Sequence, residues 1–148
     1  MARPEAPRIA ITMGDPTGIG PEIIVKVLSL RGTLPFCRPV VLGDRMIMER
    51  AIRLLNAPIT IHEMETADER HYRHDSLNLV SLSAIPPEEA RYGTPGPSCG
   101  RAMATYIEEA VKLVMQVGST PSPPLPSVRR RFPIQDTPTP GILNYWPD

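Results

Sequence analysis

Met13-Gly14-Asp15-Pro16-Thr17-Gly18-Ile19-Gly20-Pro21-Glu22-Ile23-Ile24 comes directly after the apolar run Arg8-Ile9-Ala10-Ile11-Thr12. Arg8 through Met13 reads as a short β-strand, and the residues from Pro21 onward read as a helix. Pro21 suits the first helical position, where its missing N–H would have no intrahelical partner anyway. Glu22 is placed favourably at the positive end of the helix dipole. Ile23, Ile24, Val27 and Leu28 supply an apolar face at helical spacing. A strand delivered through a small-residue turn into a helix N-terminus presents backbone N–H groups that can cradle a phosphate or carboxylate. The same glycines also serve a purely steric turn. Both readings stay open at this point. The string is not a P-loop, because it contains no Gly-Lys-Ser/Thr. Nor is it a dinucleotide fingerprint, because Gly18-Ile19-Gly20 lacks the third glycine and Pro21-Glu22 occupies the helix start.

Outward from this junction the alternation of strand and helix continues. Pro39-Val40-Val41-Leu42-Gly43 reads as a buried strand, and Asp44 as the N-cap of a helix with Met48, Ala51, Ile52 and Leu55 on one side. Asn56 is placed to end that helix. Residues 58–63 and 77–82 alternate like strands, with a polar surface loop expected over 64–76 and a second long loop over 83–97. The strongest helix signal comes after that loop. Met103, Tyr106, Ile107, Ala110, Val111 and Val114 are expected on its apolar face, and Glu108 with Lys112 as an i,i+4 pair on the other. The pattern predicts an α/β fold in which parallel strands alternate with helices.

Composition narrows the function classes. Sixteen acids balance sixteen bases, so the whole chain carries no net field that would draw it to nucleic acid or anionic membrane. Apolar runs such as Ile23-Ile24-Val25 are far shorter than the roughly 20 residues needed to span a bilayer. The N-terminus lacks the apolar core of a secretory signal, so a cytoplasmic location is expected. Cys37 and Cys99 have no C-x-x-C spacing and are expected as free thiols in or near the core. His71 and His74 sit in a charged stretch without a third ligand and read as solvated surface. His62 reads as structural or exposed, so no metal site is expected. Asp15 and Glu22 look like a carboxylate pair, but turn chemistry accounts for the first and the helix dipole for the second. Neither is given an acid–base role.

The composition then breaks. Val117–Asp148 contains no Ala, Glu, Lys, Met, His or Cys, and eight of its 32 residues are proline. By itself such a segment is expected to be irregular and prone to polyproline II.

The string from Gly14 to Glu22 resembles the N-terminal signature G-D/E-P-x-G-I-G-P-E/D of the 4-hydroxythreonine-4-phosphate dehydrogenase family. Leu42-Gly43-Asp44, Arg50-Ala51, Leu54, and Gly93 through Gly100 leading into Tyr106–Val111 agree with it, so the resemblance covers about Arg8 to Gln116. It implies part of an isopropylmalate-dehydrogenase-like fold in a homodimer. The implied activity is NAD-dependent oxidation of a phosphorylated hydroxy amino acid, followed by decarboxylation, in pyridoxal phosphate synthesis. The resemblance also implies a divalent metal held by histidines. Asp15, Thr17 and Gly18 are the residues of this chain it places near the substrate cleft. The family's catalytic, cofactor and metal residues come after the point matching Gln116. Three regions are therefore expected: a disordered 1–7, an N-terminal α/β part over 8–116, and a non-native tail over 117–148.

The tail has a reading in another frame. Shifted by two nucleotides from Ser119–Thr120, its codons permit DAVTTAPISKEAI and then YAYPGHTELLA. Those strings resemble the family's substrate-contacting T-A-P-I-x-K segment and the P-G-H-T-E segment that carries a metal-ligand histidine. An out-of-frame tail and an inactive 148-residue chain are therefore expected. A parallel sheet missing its next strands would leave an unpaired edge and be prone to aggregation. Two other readings are a small anion-binding α/β domain and an interaction module working through Pro121–Pro126 and Arg129–Arg131.

Overall fold

The structure is a computed structural model that describes residues 6–30, 37–67 and 71–117. Expectations for residues 1–5 and for the tail over 118–148 lie outside the described residues. In chain order the elements are β1 (Arg8–Thr12), α1 (Gly20–Ser29), β2 (Arg38–Asp44), α2 (Arg45–Leu55), β3 (Thr60–Glu63), β4 (Ser76–Ser83) and α3 (Pro97–Val117). The four strands form one parallel sheet in the order β1-β2-β4-β3. The strands and helices fall where the sequence pattern puts them, to within a few residues at each end.

β2 and β4 occupy the middle of the sheet and are its most buried strands, as two covered faces make them. Val40, Val41, Leu42, Leu77, Leu79 and Val80 form the centre of the core. α1 and α2 pack on each other, and α2 also meets β2 and β4. α3 lies across β1, β2 and β4. β3 and β4 pair in parallel, and the described residues that join them include no α-helix. Their link is partly interior, since Met64 is buried and its N–H donates to the Leu79 carbonyl at 2.8 Å. The expected surface loop over 64–76 is thus corrected at its start. Asn78 fastens the other end. Its Nδ2 donates to the carbonyls of Arg73 (2.7 Å) and Ser76 (3.1 Å), and its Oδ1 accepts from the Arg73 N–H (2.9 Å).

The α2 signals operate as read. Asp44 caps it by accepting from the Ile47 N–H at 3.2 Å, and Asn56 ends it in the left-handed conformation at φ 46°. Two helix faces differ from expectation. On α1 the buried residues are Pro21, Ile24, Val25 and Leu28, while Ile23 and Val27 are exposed. On α3 the buried residues are Cys99, Ala102 and Tyr106, with Ala110 and Leu113 packed against the core. Ile107, Val111 and Val114 are 56%, 57% and 67% exposed. The sequence shows one broad apolar face on α3, whereas the fold splits it into an inner and an outer stripe. The expected Glu108–Lys112 pair is also replaced: Lys112 Nζ meets Glu109 Oε2 at 3.3 Å.

A buried polar network holds α3 to the sheet. Asp44 uses one oxygen for its capping bond, and the other accepts from Ser83 Oγ (3.0 Å) and the Ile85 N–H (2.9 Å). Ser83 Oγ in turn lies 2.6 Å from the Tyr106 hydroxyl. Burial pushes the Tyr106 phenol up to about 12, opposed by the Ser83 hydrogen bond and assisted by the Asp44 charge.

Candidate functional site

All four strands run the same way, so the segments leaving β1 and β4 emerge at one end of the sheet. That carboxyl end is where open α/β sheets place their ligand sites. The segment after β1 is the glycine-rich string, and two of its glycines have steric causes. Gly14 has φ +76°, in the left-handed region that disfavours a side chain. Gly20 sits so close to the end of β1 that a Cβ there would lie 2.4 Å from the Met13 carbonyl oxygen. Strand and helix therefore approach more closely than any other residue would allow.

Asp15 organises the turn. Its Oδ1 accepts from both the N–H and the hydroxyl of Thr17, each at 2.8 Å, and its carbonyl accepts from the Gly18 N–H at 3.0 Å. This is the local side-chain-to-backbone turn chemistry that the sequence suggested for Asp15. It also uses up two amides that a bound anion would need. The N–H groups of Ile19, Gly20 and Glu22 make no hydrogen bond among the described residues, but the Glu22 carboxylate shares the same helical turn. The fold thus supports the steric reading of the glycines and leaves only a reduced set of donors for the anion reading.

The segment after β4 closes on this turn. The Gly93 N–H donates to the Thr17 carbonyl at 3.0 Å. Arg50, projecting from α2, bridges the two segments: Nη2 donates to the Pro16 carbonyl at 2.9 Å, and Nη1 donates to the Ala90 carbonyl. Its guanidinium also stacks 4.2 Å from the Tyr92 ring centroid. Burial, then a hydrogen bond to Glu22, raises the Tyr92 phenol above its ordinary range, with Arg50 opposing. Behind them Glu89 accepts from Ser98 Oγ, and Cys99 Sγ donates to the Glu89 carbonyl at 3.4 Å. Both thiols are free, with Cys99 buried and Cys37 half-buried.

Asp15, Thr17 and Gly18 thus lie together on one turn at the carboxyl end of the sheet. Arg50 and Tyr92 hold that turn in place, and sequence reasoning gave neither a role. The available signal was Arg50 itself, a charge within one turn of the buried Ile47 and Ala51. The histidines lie elsewhere. His62 Nε2 is 2.6 Å from the His71 carbonyl oxygen, and His74 packs edge-on against Tyr72. Among the described residues no three His, Cys, Asp or Glu side chains gather as a metal-binding group. No residue here is therefore assigned to the divalent metal or the nicotinamide that the resemblance implies. No helix among the described residues is long and apolar enough to cross a membrane.

The model of the family described as pyridoxal phosphate biosynthetic protein PdxA matches residues 35–120. A 4-hydroxythreonine-4-phosphate dehydrogenase from Desulforapulum autotrophicum is 45% identical over 109 residues, covering 74% of this chain and 32% of the relative. A D-threonate 4-phosphate dehydrogenase from Cupriavidus necator is 39% identical over 107 residues, with 72% and 32% covered. The fold matches the crystal structure of a 4-hydroxythreonine-4-phosphate dehydrogenase from Burkholderia phymatum. There the TM-score is 0.71 at 33% identity, over 77% of this chain and 34% of that one. The chain spans about a third of the length of the curated relatives it matches. On the matched residues, the parallel sheet and the glycine-rich turn, the chain belongs to the pyridoxal phosphate biosynthetic protein PdxA family.

Proposed function

We propose that this chain is the N-terminal third of an NAD-dependent dehydrogenase acting on a four-carbon hydroxy acid phosphorylated at position 4. The observation that carries the reading is the 45% identity, over 109 residues, to a relative named for that activity. The relatives' names include both 4-hydroxythreonine 4-phosphate and D-threonate 4-phosphate as substrates. The shared chemistry is a secondary hydroxyl to be oxidised and a terminal phosphate to be held. In the complete protein the reaction would be oxidation and then decarboxylation, carried out by a cytoplasmic homodimer with a divalent metal. The remaining two-thirds would supply the metal, cofactor and catalytic residues. The 148-residue chain is therefore inactive by itself, and Val117–Asp148 is an out-of-frame translation.

This part of the chain contributes one wall of the substrate cleft. Asp15, Thr17 and Gly18 line it, and the Arg50 bridge keeps that wall rigid. Asp15 Oδ1 is engaged by Thr17, while Oδ2 carries no hydrogen bond among the described residues and is the oxygen available to a substrate hydroxyl or amine.

The test is to resequence the encoding DNA past codon 117, restore the frame and monitor NADH formation with both phosphorylated substrates. The restored protein should reduce NAD with at least one of them, and the 148-residue chain with neither. In the restored protein Asp15→Asn should raise KM more than it lowers kcat. Absence of turnover with both substrates would overturn the reading.

A further inference from the structure

We propose that the groove between β1 and α3 is a docking surface for the polypeptide that comes after α3 in the family, and that it accepts that polypeptide in trans. The inference rests on family membership and not on catalysis. β1 is an edge strand. The Pro7 carbonyl accepts from the Arg38 N–H, and the Met13 N–H donates to the Leu42 carbonyl, so the odd-numbered residues of β1 face β2. By the alternation of a parallel ladder, the amides of Ala10 and Thr12 point outward, without a partner among the described residues. An edge open at Ala10 and Thr12 among the described residues is a template for one more strand.

Beside that edge lies a groove of about 650 Å³, walled by Ile9, Ala10, Val40, Leu113 and Val114 and reaching Gln116. Ile107, Val111 and Val114 continue it as an exposed apolar stripe along α3. A helix that is apolar on both its inner and outer faces belongs between two layers, and only the inner layer is present among the described residues. An extended segment on Ala10 and Thr12, with an apolar face laid on Val111 and Val114, would supply the outer one.

Two observations identify the occupant. The matched relatives contain about three times the matched length, and the family match ends at residue 120, just past α3. The last described turn of α3 lines the groove, so a continuing chain starts beside the edge it would pair with. The groove is mainly apolar, with Arg8, Thr66 and Gln116 its polar lining residues, which fits a core segment of the same fold better than a highly charged partner.

The experiment co-expresses the full 148-residue chain with the part of the Desulforapulum autotrophicum relative that lies beyond its matched third. A one-to-one complex should co-purify, and amide exchange at Ala10 and Thr12 should slow by at least about tenfold relative to the chain alone. Val111→Glu combined with Val114→Lys should cut recovery at least about tenfold, while Arg101→Glu on the same helix should leave it unchanged. Both altered side chains are exposed, and unchanged protection at Val41 in β2 verifies that the variant is folded. No complex, or a complex indifferent to the double substitution, would overturn the proposal. So would protection of Ala10 and Thr12 in the chain alone, which would mean that a second copy or residues 118–148 already cover the edge. NADH formation by the complex reads out separately: a complex without turnover leaves the docking surface standing and counts against the enzymatic reading.

Discussion

The two ends of α3 experience different surroundings. Near its start, Cys99 and Tyr106 are wholly buried, and hydrogen bonds run from Tyr106 through Ser83 to Asp44 and from Cys99 to Glu89. Farther along, Val111 and Val114 stand exposed beside an edge strand whose outward amides at Ala10 and Thr12 have no partner among the described residues. The first region is a closed structure whose polar groups find their partners inside the matched third. The second is an open surface whose apolar groups, among the described residues, have neighbours on one side only. Completeness of a fold is thus a local property, and it can be assayed region by region.

If this contrast is right, substitutions in the closed region should destabilise the chain and those in the open region should not. The largest effect is expected for Asp44→Ala, which uncaps α2 and strands the Ile85 N–H and the Ser83–Tyr106 pair. A loss of about 3–5 kcal/mol is expected from urea unfolding. Arg50→Ala should cost about 2 kcal/mol by the same measurement, because two carbonyls of the site turn lose a charged donor. Gly14→Ala should cost about 1–2 kcal/mol, since alanine must then adopt φ near +76°.

Alkali should act only above pH 10. Tyr106 is raised from 10.0 to about 12 on folding, so its contribution is fully present below pH 10 and is lost as pH rises towards 12. Urea midpoints at pH 9 and pH 11 measure that slope. A flat profile would mean that the Tyr106 hydroxyl is not held in this network. The smallest effect belongs to the open region: Val111→Ser should shift stability by no more than about 0.5 kcal/mol. A large loss there would show that the stripe is covered even in the isolated chain.

These regions also differ in how far the sequence discloses them. Pro21 marks a helix start by its fixed backbone angle, and Asp44 and Asn56 mark helix ends through bonds that span a few residues, so their roles are legible directly in the string. Asp15 belongs with them, because its partner Thr17 is two residues away. Arg50 does not. Its partners Pro16 and Ala90 are 34 and 40 residues distant, and no periodicity encodes that pairing. The two faces of α3 escape a sequence reading for a related reason. Helical spacing identifies which residues share a side, but a helix with two apolar sides gives no local indication of which one meets the sheet.

The meeting of β2 and β4 also governs registration. Gly43 pairs with Ser81, yet Asp44 pairs with Ser83, so Leu82 is the extra residue of a bulge. If the same sequence paired without the register shift, Leu82 would stand opposite the buried carboxylate. Deleting Leu82 would keep Ser83 opposite Asp44 but remove the bend, changing the direction in which the loop through Ile85 leaves the strand. The bulge therefore acts as a spacer that sets the phase between a strand and the loop it feeds. Insertions and deletions in this family should be tolerated in the loop after Ile85 well before they are tolerated at Leu82.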